Sequence, residues 1–236
     1  PFSQLLFTAF IVMAVFLILE VMATLIAIPI FGLQHVMGLM SGLDMTDPVT
    51  IGMLKYFQVN QDIGLFIVPS LLAAWLLFGN PRKSLHLDRS LNLMPAILVI
   101  FLIVVINPFV NFIGAINSEM HLPQWLNGLE TWMRDSEDAA GKLTDAFLKV
   151  NSLGGMLFNL FMVAVLAALG EELLFRGVVQ KILTEWTGNH HWGIWISAAF
   201  FSALHLQFFG FVPRMMLGAL FGYLLVWSGS LWLPIL

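Results

Sequence analysis

Long apolar runs separated by brief polar punctuation set the plan of this chain. Apolar stretches of about twenty residues without period-two alternation are the pattern of membrane-crossing helices. Such runs cover about residues 5–30, 63–78, 93–113, 153–183, 192–206 and 214–227, and Leu231–Leu236 starts another. The alternation of a membrane barrel is missing, and helices are the other architecture that satisfies every backbone polar group in lipid. The expected fold is all-α. It is a polytopic transmembrane bundle of about seven to eight helices, the last one truncated, forming one domain over residues 1–236. Residues 1–150 would supply N-terminal helices and an outer amphipathic segment, and 151–236 the helices of a catalytic core.

The punctuation orients the runs. Gly79-Asn80-Pro81-Arg82-Lys83 is a turn signal carrying basic residues. With Arg89 the loop holds three Lys/Arg, and the positive-inside rule places it, and the N-terminus, in the cytoplasm of a cell whose inner membrane the chain crosses. The first run lacks a basic start and a small-residue cleavage site, so it reads as an anchor and not a signal peptide. Gln34–Gln61, broken by Gly38, Gly42, Asp47 and Pro48, reads as a non-cytoplasmic loop with an interfacial helix. Asn107-Pro108 reads as a packing kink. In 117–150, Trp125, Leu129, Trp132 and Met133 recur near helical spacing among acids and bases, which suggests an amphipathic helix on the outer face. Gly218 and Gly222, four apart, make a small face for close helix packing.

Composition agrees: 59% of residues are hydrophobic and 10% charged, against about 25% charged in soluble domains. Mean hydropathy is +0.91. No basic patch offers a nucleic-acid surface, so the expected partners are membrane lipids and a peptide or protein substrate. The absence of cysteine excludes disulfides and thiolate chemistry.

One stretch breaks the apolar rule. Ala168-Leu169-Gly170-Glu171-Glu172-Leu173-Leu174-Phe175-Arg176-Gly177 places two acids and a guanidinium inside a membrane run. An ionisable group at mid-bilayer costs roughly 2.5–3.5 kcal/mol, so such groups pair, face the bundle interior or line a wet cavity, and mark a functional site. Glu172 and Arg176, four apart, share a helix face, and Glu171 points about 100° away. That ties one carboxylate to arginine and leaves the other free to act as a base. His205 is the histidine deep within a run, and Glu171 with His205 could hold a water, directly or on a metal, for attack on an amide. A polar packing cluster or a proton pathway through Glu20, Glu171 and Glu172 fits the same residues. Glu20 alone reads as a structural hydrogen-bonding group, and His190 and His191 as surface residues of a turn.

Glu171-Glu172-Leu173-Leu174-Phe175-Arg176 resembles the EExxxR motif of the CPBP intramembrane proteases, which include the CAAX prenyl endopeptidases and bacteriocin-processing or self-immunity proteins. Phe201-Ser202-Ala203-Leu204-His205 resembles that family's FxxxH motif, and the stretch from Gly218 to Ile235 resembles the approach to its last motif. The resemblance covers about Leu153–Leu236. It implies an intramembrane endopeptidase in which Glu171, assisted by Glu172, activates water, Arg176 orients the glutamates, His205 holds the water or a metal such as zinc, and Phe201 packs the site against substrate. It also implies a further histidine, followed by Asn or Asp, directly after Leu236, where the sequence stops. Without that histidine a non-catalytic scaffold or bacteriocin-immunity protein on the same fold is the alternative, and a proton-coupled transporter is another.

Overall fold

The computed structural model describes residues 1–41, 44–150 and 152–236; Gly42, read above as a breaker, lies outside the described residues. Among the described residues there are ten helices and no strand. They are α1 (Phe2–Phe31), α2 (Leu33–Ser41), α3 (Pro48–Phe78), α4 (Pro81–Ser84), α5 (Leu93–Ser118), α6 (Asn127–Leu148), α7 (Leu153–Thr187), α8 (His190–Leu204), α9 (Phe211–Ser228) and α10 (Trp232–Ile235). α1, α3, α5, α7 and the stretch Phe208–Ser228 are long and apolar enough to cross a membrane. Their outward faces carry bare large side chains, such as Phe10 at 68% and Val104 at 67% exposure, which only lipid would cover. The polytopic all-α bundle is therefore the observed architecture.

Two boundaries differ from the sequence reading. The second span is not 63–78 but begins at Pro48, so much of the expected loop Gln34–Gln61 is helical. Asp47 caps α3 by accepting from the amides of Val49 and Thr50, and Pro48 occupies the first helical position, where its missing N–H costs nothing. The polar residues that suggested a loop find partners inside the bundle. Lys55 donates to Asn159 at 2.7 Å, Asn60 to Glu20 at 3.0 Å, and Gln58 to Asp62 at 3.1 Å. Glu20 thus has the structural role expected of it. The second difference is α8, whose 15 residues are too few for the expected bilayer crossing. It lies between α7 and α9, and its chain leaves the helix at His205, where Leu206 adopts a left-handed φ of 53° before a 3-10 turn over Phe208–Gly210.

The core joins the two halves of the chain. Ile11 of α1, Ala73 and Ala74 of α3, Leu85, Leu173, Val178 and Ile182 of α7, and Leu225 of α9 pack as one buried cluster. The glycines of α9 serve more than close packing. A Cβ on Gly222 would sit 2.6 Å from Gln180 Oε1 and 2.9 Å from Ile194. The approach lets Gln180 donate to the Gly222 carbonyl at 3.2 Å, just as Arg176 donates to that of Gly218.

Local contacts sort the connections into two ends. Phe2 stacks on Trp186, the Leu231 amide donates to His86 O, and Trp232 Nε1 donates to Leu87 O. The N-terminal end of α1, the basic loop, the α7–α8 turn and the α9–α10 turn are therefore together. Exposed Trp75, Trp186, Trp192 and Trp227 ring this end as an interfacial belt. The other end carries the described segments 32–41, 44–47, 117–150 and 205–210. The amphipathic helix foreseen in 117–150 is α6, held at that end. Glu130 accepts from the Leu122 amide at 2.8 Å and from Arg134 at 2.7 Å, and contacts His121 at 2.9 Å. At its C-terminal end, Asn159 Nδ2 donates to the Phe147 carbonyl.

Two tests follow from this packing. Gly222→Leu should lower the thermal unfolding midpoint in detergent, by the equivalent of about 1–3 kcal/mol for overpacking. Gly154→Leu, where a Cβ would meet nothing within 4 Å, should not. Equal midpoints for the two variants would refute the packing role. For α6, the hydrogen bonds from Arg134, His121 and the Leu122 amide hold Glu130 down from its ordinary 4.5 to about 2. A carboxyl lowered by folding stabilises the docked helix fully above pH 4.5 and loses that contribution as pH falls towards about 2. Trp132 fluorescence, in a variant keeping that tryptophan alone, should change over this window, and Glu130→Gln should abolish the change.

Candidate active site

The motif of α7 lies between two departures from regular α-helical winding. The turns Phe161–Leu166 and Leu173–Val179 are π-helical, and the regular turn Ala167–Glu172 between them carries both glutamates. Each π turn shifts the register of the side chains after it, a device frequent at functional sites. Gly170 brings α3 against this turn: a Cβ there would lie 2.8 Å from Phe66 Cβ and 3.5 Å from the Asp62 carbonyl.

The two glutamates part as their 100° offset requires. Glu172 Oε1 meets Arg176 Nη1 at 2.8 Å, with side chains 5% and 2% exposed. Arg176 Nη2 donates to Gly218 O at 3.2 Å, and its guanidinium lies over Phe201 at 4.6 Å and Phe221 at 5.6 Å. Buried charge needs both a counter-ion and hydrogen bonds, and α9 supplies the carbonyl and one of the rings. Glu171 instead faces α8: its Oε1 lies 3.6 Å from His205 Nε2, the side chains 23% and 30% exposed respectively. Both side chains of the pair are partly exposed. The dry Glu172–Arg176 pair braces the helix beside it.

The His205 tautomer follows from its partner. Nδ1 lies 2.8 Å from Phe201 O, a group that only accepts, so Nδ1 carries the hydrogen. In the neutral ring Nε2 is then an acceptor turned towards a carboxylate. Two acceptors 3.6 Å apart call for a proton donor beside them, and a water that donates to both fits. Phe201 supports three groups from its buried position. It is 7% exposed, under Arg176, edge-on to Phe175 at 5.1 Å and against His205 at 4.8 Å.

All five residues singled out in the sequence therefore converge. His205 ends α8, so about 22 Å of helix separates it from the turn at His190. Glu171 lies a similar distance from the end of α7 at Thr187. Glu171 thus lies near the middle of the 35-residue helix α7.

Sequence reasoning missed Asp62. It is 2% exposed, takes one hydrogen bond from Gln58, and leaves Oδ2 without a partner while its backbone packs against Gly170. Its signal was an acid flush against an apolar run. Asn117 and Glu137 were also missed as neighbours of the site. The Asn117 side chain donates to Phe208 O at 3.0 Å and accepts from the Val212 amide at 3.1 Å, and Glu137 accepts from the Phe209 amide at 3.1 Å.

Comparisons with known proteins reach only part of the chain. A curated relative, the uncharacterized protein YpbD of Bacillus subtilis (strain 168), is 30% identical over 80 residues, covering 32% of this chain. The aligned part spans 38% of that relative's length. No solved structure matches. Residues 153–236, which begin at the first residue of α7 and hold Glu171, Glu172, Arg176, Phe201 and His205, match the family of type II CAAX prenyl endopeptidase Rce1-like proteins, the family that the two motifs resemble.

Proposed function

We propose that this chain is an intramembrane endopeptidase that hydrolyses a peptide bond with a glutamate-activated water. The observation that carries this reading is the 3.6 Å approach of Glu171 to the acceptor nitrogen of His205 within a segment that matches a protease family. A water hydrogen-bonded to both gives its proton to Glu171 as its oxygen attacks the amide carbon of a peptide or protein substrate. Glu171 then delivers the proton to the leaving amine, and the carboxylate is restored. Arg176 holds Glu172 and keeps the glutamate turn rigid, and Phe201 holds His205 through its carbonyl. Zinc takes three or four protein ligands. Glu171 and His205 would supply two of these, and a metal held there would polarise the same water.

The rival relay of Glu20, Glu171 and Glu172 gains nothing from the geometry, since each acid has a separate partner: Asn60, His205 and Arg176. We further assign the N-terminus and the basic loop to the cytoplasmic side of an inner membrane, because three Lys/Arg crowd the short 79–92 loop.

Glu171→Ala and His205→Ala should each lower cleavage of a membrane peptide by at least about a hundredfold while the unfolding midpoint holds. Cleavage retained by both variants would overturn the assignment. Glu172→Gln should act differently, costing about 3–5 kcal/mol of stability by leaving Arg176 buried without its counter-ion. A Glu172→Gln variant as stable as the parent would remove that division of roles. The orientation is tested by single cysteines at Ser84 and Ser136 in this cysteine-free chain. An impermeant maleimide should label Ser136→Cys in right-side-out vesicles and Ser84→Cys in inverted ones. The reverse pattern would invert the topology.

A further inference from the structure

His205 is the last residue of its helix turn and stands immediately before a segment with weak means of holding itself. Leu206 takes a left-handed φ of 53°, which a side chain with a Cβ adopts under strain. Phe208–Gly210 is a single 3-10 turn. A histidine on such a segment keeps its aim only if something else holds the backbone beyond it.

Elements outside residues 153–236 do so. Asn117, at the end of α5, bridges Phe208 O and the Val212 amide at 3.0 and 3.1 Å and is itself 5% exposed. Glu137 of α6 accepts from the Phe209 amide at 3.1 Å. Trp132 packs on Phe208 with ring centroids 5.4 Å apart, and the Arg134 guanidinium lies 4.2 Å over Phe209. Within the core itself, Ser202 donates to Phe211 O at 2.6 Å, and Arg214 donates to both oxygens of Gln207. The chain from 207 to 212 is gripped at nearly every residue, and the two side chains that take its backbone groups from outside are Asn117 and Glu137.

We propose that Asn117 and Glu137 are positioning residues: they hold the 206–212 segment and through it fix His205 against Glu171. The amphipathic helix α6 is then a working part of the site, brought over it from the non-matching half of the chain. This rests on the hydrolytic reading for its consequence, since rate suffers when His205 is misaimed, but the alignment itself exists whether or not the protein cleaves peptides. Both side chains act through backbone hydrogen bonds, so the role needs an acceptor at 137, not a charge. Glutamine supplies one and alanine does not.

The chain's lack of cysteine gives a direct readout. In a Glu171→Cys/His205→Cys protein, the rate of bridging by a short bifunctional methanethiosulfonate reports the alignment of the two positions. Adding Asn117→Ala or Glu137→Ala should slow bridging about tenfold, the factor one lost hydrogen bond can carry. Glu137→Gln should restore the parent rate. A Phe2→Cys/Trp186→Cys pair at the far end should bridge equally in every background, which establishes that the variants fold. With the native site, Glu137→Ala should lower kcat and leave KM unchanged. Unchanged bridging in the alanine variants, or a Glu137→Gln variant that behaves like Glu137→Ala, overturns the proposal. A parent that cleaves nothing while bridging follows the expected pattern removes the hydrolytic reading and leaves the positioning role standing.

Discussion

A buried ion pair decides how this half of the bundle is built. Glu172 and Arg176 are almost wholly excluded from solvent on a helix surrounded by apolar side chains. Taking two charges out of water costs several kcal/mol each, recovered only with close geometry and further hydrogen bonds. The pair therefore constrains its neighbours. α9 must come close enough to offer the Gly218 carbonyl, and a glycine there eases its packing on α8, where a Cβ would lie 3.2 Å from Ala198 and 3.3 Å from Phe201. Phe201 must lie under the guanidinium, which fixes the rotation of α8. Once α8 is so rotated, His205, one turn beyond Phe201, has no face left except the one Glu171 presents. The approach of His205 to Glu171 thus follows from the needs of the Glu172–Arg176 pair.

This division explains why adjacent glutamates take opposite environments. A helix turns about 100° per residue, so neighbours cannot share a face. One carboxylate is spent on a dry brace, and the other stays partly exposed beside its imidazole partner. The π turns on either side set the register between the site and the rest of α7, so that Asn159 reaches α6 while Val178 and Ile182 reach the core.

Much of this was legible in the residues. Charges inside an apolar run announced the site, and the four-residue spacing of Glu172 and Arg176 announced their pairing. The small face at Gly218 and Gly222 was legible as packing but not as a pair of exposed carbonyls, because backbone acceptors leave no trace in sequence. The start of α3 was hidden by Lys55, Asn60 and Asp62, which look like loop until their partners on other helices are known. Asn117 and Glu137 were beyond reach, since their partners are backbone atoms more than seventy residues away in the chain.

The central claim is that Glu171 and His205 meet across one shared water. A solid-state nuclear magnetic resonance measurement of dipolar coupling between the Glu171 carboxyl carbon and His205 Nε2, in lipid bilayers, tests it most directly. The account predicts a carbon–nitrogen separation below about 5 Å, given hydrogen-bond distances near 2.8 Å on each side of a water, with Nδ1 protonated and Nε2 bare. Absent coupling, or a ring whose Nε2 bears the only proton, would contradict it.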